Sequence, residues 1–179
     1  MAPVFCLLSG ESLPIFEDVE FFSEARHDIA LYLDVALDRL QLLQEGAPVD
    51  DASPLTGETV HVIIEAPVWI DEFSDESVVD LCDRDVRNID CKFIKDAMQN
   101  STTLKRLYLR SNAIGDDGAA VLAAGIEASP SLEEVWLDGN PLGAAGVKAL
   151  LQCQLHCAST ELHLSADQLK SVAALSEES

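Results

Sequence analysis

A repeat in the second half of this chain of 179 residues constrains the fold more than any other feature. The segment LKRLYLRSNAIGDDG begins at Leu104, and the segment LEEVWLDGNPLGAAG begins 28 residues later, at Leu132. The positions that match in register are Leu104, Leu107, Leu109, Asn112, Ile114, Gly115 and Gly118 in the first copy, and Leu132, Val135, Leu137, Asn140, Leu142, Gly143 and Gly146 in the second. A fixed period of this length indicates a stacked array, in which each unit buries its apolar face against its neighbours.

Each copy has two physical parts. The LxxLxL stretch alternates apolar and polar residues, which is typical of a short strand with one buried face. Asn112 or Asn140 follows, and an asparagine side chain can bond backbone groups where the chain turns. The alanine-rich remainder has apolar residues at helical spacing. These features resemble the leucine-rich-repeat family, and the 28-residue unit with a full helix is similar to its ribonuclease-inhibitor type. The resemblance implies an α/β solenoid.

Weaker copies flank these two. One period earlier, the strand and turn positions hold Val79, Leu81 and Val86, the helix positions hold Ile94 and Met98, and Arg84 replaces the asparagine. Twenty-seven residues after the second regular copy, the equivalent positions hold Leu162, Leu164 and Leu169, with Asp167 in place of the asparagine. We therefore expect about four units over residues 78–175, two regular and two degenerate, because terminal units depart from the pattern.

The first 66 residues carry a second pattern. The segments PVFCLLSGESLPIFED, EFFSEARHDIALYLD, LDRLQLLQEGAPVDD and ETVHVIIEA predict a strand, a turn at Ser9–Gly10, a strand, a helix, a strand, a turn at Gly46 and a closing strand. The predicted helix has Phe22, Ala25 and Ile29 on one face. This order resembles a ubiquitin-like domain, which implies an α+β β-grasp fold over residues 1–66.

The ubiquitin-like resemblance also implies a partner-binding patch on the sheet. The positions that match this patch are Leu8, Leu43, His61 and Ile63, whereas Leu42, Val60 and Val62 alternate with them and would face the core. Alternatively, the repeat array covers Leu43 and Ile63. The chain continues past Ile64 without the diglycine tail that conjugation requires, so we expect a built-in binding module and not a covalent modifier.

Residues 67–77 lie between the two patterns. Pro67 and a run of acids are typical of a linker, but Trp69, Ile70 and Phe73 are too apolar to be left in water. We expect this segment to be both the linker and the N-terminal cap of the solenoid.

Composition narrows the class of partner. The chain carries 32 acidic against 11 basic side chains, a net charge of -21, which repels nucleic acid and anionic lipids and favours proteins with basic surfaces. The alternative is that the charge only keeps the protein in solution. No apolar run reaches the length of a membrane span, and no basic region precedes FCLL as in a secretory signal, so we expect an intracellular, most simply cytoplasmic, protein.

The five cysteines are an odd number without the spacing of a disulfide scaffold, so we expect reduced thiols. One cluster, comprising Cys153, His156, Cys157 and His163, has residues that ligate zinc. Cys153 and Cys157 fall on the apolar face of a predicted repeat helix, however, where small buried residues are expected. We therefore predict no metal site.

No catalytic motif stands out. The repeated glycines lie at turns and helix starts, and not in a phosphate-binding loop. Asp116 and Asp117 resemble a catalytic carboxylate pair, but they open a predicted helix, where acids complement the helix dipole. We predict no enzymatic activity, no cofactor and no small-molecule substrate.

The repeat register also predicts a surface, which we call the concave face, formed by the exposed positions of successive strands. Its central column holds Asp80, Tyr108, Trp136 and His163. Adjacent strands lie close together, so Tyr108 and Trp136 should be neighbours with arginines beside them, and Tyr, Trp and Arg are enriched at binding hot spots. The predicted partner-binding residues of this face are Arg106, Tyr108, Arg110, Glu134, Trp136, Asp138 and His163. Alternatively, the aromatic rings only stack on one another.

These features together predict a non-enzymatic adaptor that binds other proteins through the concave face and the ubiquitin-like patch. A structural subunit of a larger complex is the main alternative. An enzyme or metalloprotein is a third possibility, which zinc found by elemental analysis would support.

Overall fold

The computed structural model describes residues 4–7, 13, 22–35, 39–44, 46–49, 52, 59–157 and 160–176. The chain divides into two compact units, Met1–Ala66 and Pro67–Ser179. Each unit has an apolar core of its own.

The first unit combines one helix with a mixed sheet. Its elements are β1 (Val4–Leu7), α1 (Phe22–Leu33), β2 (Leu40–Gln44), β3 (Ala47–Pro48) and β4 (Thr59–Ile64). The strand order is β1-β4-β2-β3, with β1 parallel to β4 and β2 antiparallel to both β3 and β4. The predicted turn at Ser9–Gly10 lies outside the described residues.

The core of the first unit follows the two periodicities of its sequence. On α1, Phe22, Ala25 and Ile29 are buried, as their helical spacing predicts. They pack in one cluster with alternate residues of the two central strands, which are Leu40, Leu42, Val60 and Val62. Successive side chains of a strand point to opposite faces, so the residues between these lie on the other face of the sheet.

The second unit alternates strands with helices. After a 3-10 helix over Val68–Phe73, its elements are β5 (Val78–Asp80), α2 (Cys91–Asn100), β6 (Arg106–Tyr108), α3 (Asp116–Ala128), β7 (Glu134–Trp136), α4 (Ala144–His156), β8 (Glu161–His163) and α5 (Ala166–Ser176). The four strands form a parallel sheet in sequence order. The described residues of this half therefore form four strand-and-helix units, as the repeat predicts.

The strand register confirms the columns expected from the sequence. The first residues of the four strands pair in the order Val78, Arg106, Glu134 and Glu161, and the last residues pair in the order Asp80, Tyr108, Trp136 and His163. The middle residues of β5, β6 and β7 are buried and point towards the helices. Trp69 and Phe73 join this same core, so the acidic segment that contains them packs against the repeats.

Buried asparagines hold the turns of adjacent units together. The Asn112 Nδ2 donates to the carbonyl oxygens of Leu81 and Leu109, at 2.8 and 3.0 Å, while its Oδ1 accepts from the N–H groups of Arg84 and Val86. Asn140 repeats this one unit later, donating to the carbonyls of Leu109 and Leu137. Each amide thereby satisfies backbone groups that would otherwise be buried without partners.

The last unit departs from the sequence-based alignment. The seven residues 137–143 separate β7 from α4, whereas only Leu164 and Ser165 separate β8 from α5. Asp167, predicted at the asparagine position, is an exposed residue of α5, and this prediction was wrong. Gln168 takes the place of the asparagine. It is buried, and its Nε2 donates to the carbonyls of Leu137 and Asn140, at 3.2 and 3.1 Å.

The prediction for Leu169 fails for the same reason. It was aligned with Leu142, which is buried, but it lies inside α5 and is 44% exposed. Because the last turn is short, a constant step along the sequence places the residues after β8 incorrectly.

Candidate functional site

Tyr108, Trp136 and His163 form one row across the sheet, which we call the aromatic row. They are the last residues of β6, β7 and β8 and are paired in register. Each is preceded by a strand residue that points towards the helices, so alternation places all three rings on the opposite face. The structure thus brings together the central residues that the sequence assigned to the concave face.

The rings of the aromatic row are in contact. Trp136 and His163 are stacked, with ring centroids 3.5 Å apart and an interplanar angle of 8°. Tyr108 and Trp136 are tilted by 38°, with centroids 6.0 Å apart. The tilted arrangement of Tyr108 and Trp136 is within the range that is favourable for aromatic pairs. The row is therefore ordered before any partner arrives.

Arg110 completes this arrangement from the turn after β6. Its guanidinium carbon lies 3.9 Å from the centroid of the Trp136 ring, a cation–π contact. Its Nε donates to Asp138 Oδ1 at 2.9 Å. Arg110 approaches Trp136 from the β6 side and His163 from the β8 side, so two neighbouring strands fix the orientation of the indole.

Acidic groups surround the aromatic row. The Trp136 Nε1 donates to Glu134 Oε2 at 3.4 Å, a long hydrogen bond. The His163 Nε2 is 3.7 Å from Glu161 Oε1 and, although buried, makes no hydrogen bond. Arg106 is exposed at the start of β6. The concave face therefore presents half-buried aromatic rings and two arginines within a mainly acidic surface.

Asp80, the last residue of β5, extends the acidic surface to the first strand of the sheet. The N–H of Cys82 donates to its Oδ1 at 3.0 Å, and this hydrogen bond is the main reason that the pKa of Asp80 is lowered. Hydrogen bonding with the Cys82 thiol and the charges of Arg84 and Arg110 act in the same direction. The carboxylate form is thus stabilised at the edge of the row.

The patch predicted on the first unit lies on β2 and β4. Leu43 and His61 are directly opposite each other in the antiparallel pair, and Ile63 is opposite Gln41. All three patch residues are partly exposed, whereas Leu42, Val60 and Val62 are buried, as the alternation predicts. Leu8 lies outside the described residues.

The cysteine and histidine cluster does not have the arrangement of a zinc site. Burial raises the pKa of the Cys153 thiol to about 12. His156 Nδ1 lies 2.9 Å from the carbonyl oxygen of Gln152, and His163 stacks on Trp136 in a different part of the unit. Within the described parts of the chain, no three His, Cys, Asp or Glu residues are grouped to hold a metal ion.

The carboxylate of Asp116 is engaged in the structure. Its Oδ1 accepts from the N–H groups of Gly143 and Gly146, at 2.7 and 2.9 Å, and so caps the first turn of α4. Asn88 Oδ1 caps α3 in the same way, through Gly115 and Gly118. The repeated glycines allow these close approaches: a Cβ on Gly146 would lie 2.6 Å from Asp116 Oδ1. Asn88 lies 28 residues before Asp116, so the repeat register was the sequence signal for this cap.

The end of the array carries a second surface that the sequence pattern did not predict. Leu155 is 83% exposed and Leu169 is 44% exposed, although both are apolar and the repeat register had placed Leu169 at a buried turn position. The available signal was the small number of charged residues after Gly143, which contrasts with the acidic remainder of the chain.

No helix in the described parts of the chain is both long and apolar enough to span a membrane.

Comparison with known proteins agrees with the repeat pattern. A family model for the leucine-rich repeat matches residues 100–123 and 128–151. Residues 100–151 are leucine-rich repeats. Among solved structures, the chain is similar to one named Leiomodin-1 Actin-Binding Site 2, with 19% sequence identity and a TM-score of 0.50. The match covers 61% of this chain and 69% of that one, and at this identity it shows a common fold alone. No curated protein matches the chain.

Proposed function

We propose that this protein is a non-enzymatic adaptor, whose leucine-rich repeats bind a partner protein on the concave face. The observation that carries this proposal is the aromatic row, in which Trp136 is held by stacking with His163 and by Arg110. An ordered surface of Tyr, Trp and Arg loses little conformational entropy on binding, and these residue types dominate binding hot spots.

The charge around the row supports a partner with a basic surface. The acids Asp80, Glu134, Asp138 and Glu161 outnumber the arginines Arg106 and Arg110 on this face. A partner with a basic surface would be attracted by this field and by the net charge of -21, and its approach would be slowed by salt.

We further propose that residues 1–66 form a ubiquitin-like domain, that residues 67–77 link it to the repeats and cap them, and that the repeats extend over residues 78–175. Support comes from the sheet of the first unit, where β1 and β4 are parallel neighbours and α1 packs on the adjoining strands. Leu43, His61 and Ile63, with Leu8, would form its binding patch.

We propose that the protein acts in the cytoplasm with reduced thiols, and that it uses no cofactor, nucleic acid, membrane or small-molecule substrate. The engagement of Asp116 as a helix cap supports the absence of a carboxylate pair for catalysis.

The experiment is a pull-down from native lysate with three double variants. Tyr108→Ala/Trp136→Ala removes the aromatic row, and Leu43→Arg/Ile63→Arg charges the patch. Leu31→Arg/Tyr32→Arg is the matched control for the patch, because Leu31 and Tyr32 are also exposed, at 69% and 60%. Circular dichroism confirms that each variant is folded. Purified actin is one defined probe, since the similar structure is named as an actin-binding site.

Loss of a partner with the row variant, and not with Phe93→Ala on the helix side of the same array, supports the concave face. Loss with the patch variant and not its control supports the ubiquitin-like patch. If the same proteins are recovered with every variant, the adaptor proposal is wrong. A constant, stoichiometric assembly that none of these substitutions disrupts would favour the structural-subunit alternative.

A further inference from the structure

Apolar side chains are uncovered at the C-terminal end of the repeat array. In the inner units, Leu109 and Leu137 are fully buried, but the equivalent Leu164 of the last unit is only partly buried. The residues exposed or half-buried at this end are Leu151, Leu155, Leu162, Leu164, Leu169 and Val172, and we call them the open end. A repeat buries its strand and helix leucines by stacking on the next unit, and among the described residues no further unit covers the open end.

Two cavities lie at the open end. One, of about 510 Å³, is lined from both sides of β8: by Leu162 and Leu164 and by His163. The other, of about 390 Å³, lies between α4 and α5 and is lined by Leu151, Leu155 and Val172. The open end is thus concave enough to receive side chains and is not merely a flat apolar patch.

The excess of acidic residues is absent from the part of the chain that forms the open end. Residues 144–176 contain two lysines and two acids, whereas residues 1–143 contain 28 acids and nine bases. Surfaces buried in protein interfaces are depleted in charge at their centre. An apolar, neutral end on a chain of net charge -21 therefore has the composition of an interface core.

The edge of β8 is available for strand pairing. The Glu161 N–H donates to the Glu133 carbonyl at 2.7 Å, and the Leu137 N–H donates to the His163 carbonyl at 2.9 Å, so both β8 residues turn their backbone groups towards β7. Backbone groups alternate along a strand, so those of Leu162 point away from β7. In the described sheet β8 is the last strand, and these groups meet no further strand.

We propose that the open end is a self-association surface, which a second copy of this chain covers by antiparallel pairing of the two β8 strands. Centring the pair on Leu162 lets the two Leu162 residues exchange backbone hydrogen bonds. The same register places Glu161 opposite the partner's His163, twice, on the face away from the helices. The leucines of the two open ends then pack against each other on the helix side.

The charge distribution favours the open end over the rest of the surface as the place where two copies of this chain meet. Elsewhere two molecules of net charge -21 repel each other, whereas the open ends bring together two neutral surfaces. The long-range repulsion that remains is screened by salt. Association through the open end should therefore strengthen as ionic strength rises, unlike the binding of a basic partner to the concave face.

The test is sedimentation equilibrium of the full chain over a wide concentration range, at low and at high salt. We expect the mass to rise from 19.4 kDa towards twice that value, with tighter association at high salt. Leu155→Asp/Leu169→Asp should weaken association by at least about tenfold, because it puts charges into the apolar contact. Leu31→Asp, at an exposed leucine of the first unit, should leave it unchanged. Thermal unfolding shows whether each variant is folded.

The strand register has its own test. Glu161→His and His163→Glu should each weaken association by placing like residues opposite each other, and the double exchange should restore it. A mass of 19.4 kDa at every concentration and salt would overturn the proposal, as would equal weakening by Leu31→Asp. Failure of the double exchange to restore association would overturn the antiparallel pairing. None of these outcomes depends on whether the concave face binds a partner.

Discussion

The inner units of the repeat array and its last unit solve the same packing problem with different means. In the inner units, a buried asparagine bonds the carbonyls of two successive turns, and a side chain of the preceding unit caps the helix. In the last unit the turn is short, Gln168 replaces the asparagine, and Ser165 and Gln168 cap α5 reciprocally. The last unit therefore satisfies its polar groups locally while its apolar residues stay partly exposed.

This difference shows which interactions depend on a neighbour. Hydrogen bonds at a turn can be made by a side chain of the unit itself, because a glutamine reaches further than an asparagine. Burial of the strand leucines cannot be arranged in this way, since it needs a further strand and helix stacked on them. The inner units should consequently tolerate substitution less well than the last one.

The largest expected effect is in the leucine column, the equivalent strand-end positions Leu81, Leu109, Leu137 and Leu164 of the four units. Leu109→Ala should lower the free energy of unfolding by about 3–5 kcal/mol, because it leaves a cavity in a close-packed core. Leu164→Ala, at the equivalent position of the last unit, should cost less than about 2 kcal/mol because this side chain is already partly exposed. Urea unfolding of both variants measures the difference. Equal losses would mean that the open end is packed as tightly as the interior.

The prediction of this leucine column from the sequence succeeded for a physical reason. Strand and helix residues repeat because each unit must fit on the next, so a constant step finds Leu81, Leu109 and Leu137 without a structure. The same spacing fixed the register of the concave face. The contacts within the aromatic row, such as Arg110 over Trp136, depend on side-chain rotamers that no spacing encodes.

The failures of sequence analysis have the opposite cause. Asp167 and Leu169 were misplaced because the last unit need not match a following unit, so its turn was free to shorten. The exposed leucines of the open end were missed because burial was inferred from hydrophobicity, which does not show whether a neighbour is present.

The second-largest effect is expected at the buried side-chain amides, Asn140 of an inner unit and Gln168 of the last unit. Asn140→Ala leaves the Leu109 and Leu137 carbonyls and the Ile114 N–H without this partner, and it should cost about 2–4 kcal/mol because buried polar groups lose hydrogen bonds. Gln168→Ala should cost about 1–2 kcal/mol, since water can reach the last unit more easily. Chemical denaturation of the two variants ranks them. A larger loss for Gln168→Ala would reverse the comparison.

A third prediction concerns the cap between inner units. Gly146→Ala should destabilise the protein by about 1–3 kcal/mol, because the new Cβ would lie 2.6 Å from Asp116 Oδ1 and 3.0 Å from Asp116 Cα. Asp116→Ala alone should cost about 1 kcal/mol through loss of the cap. In the double variant part of the strain is relieved, so the combined loss should be smaller than the two losses added together. Simple additivity in thermal unfolding would show that the two residues do not compete for this space.

The smallest expected effect is at the N-terminal edge of the array, where a charge occupies the column that holds rings in the inner units. The folded-state pKa of Asp80 is lowered from its ordinary value of 3.8, first by the hydrogen bond from the Cys82 N–H and then by nearby groups. A carboxyl group whose pKa falls on folding stabilises the folded state above its unfolded pKa, and this contribution disappears as the pH falls through the folded pKa.

Asp80→Asn should therefore be slightly less stable than the wild type at about pH 5, and the difference in stability should close below about pH 3. Because Asp80 is exposed, the gap is expected to be small and to shrink with added salt. Urea midpoints of the two proteins across this pH range provide the measurement. A gap that does not change with pH would mean that Asp80 contributes through its shape or hydrogen bond, and not through its charge.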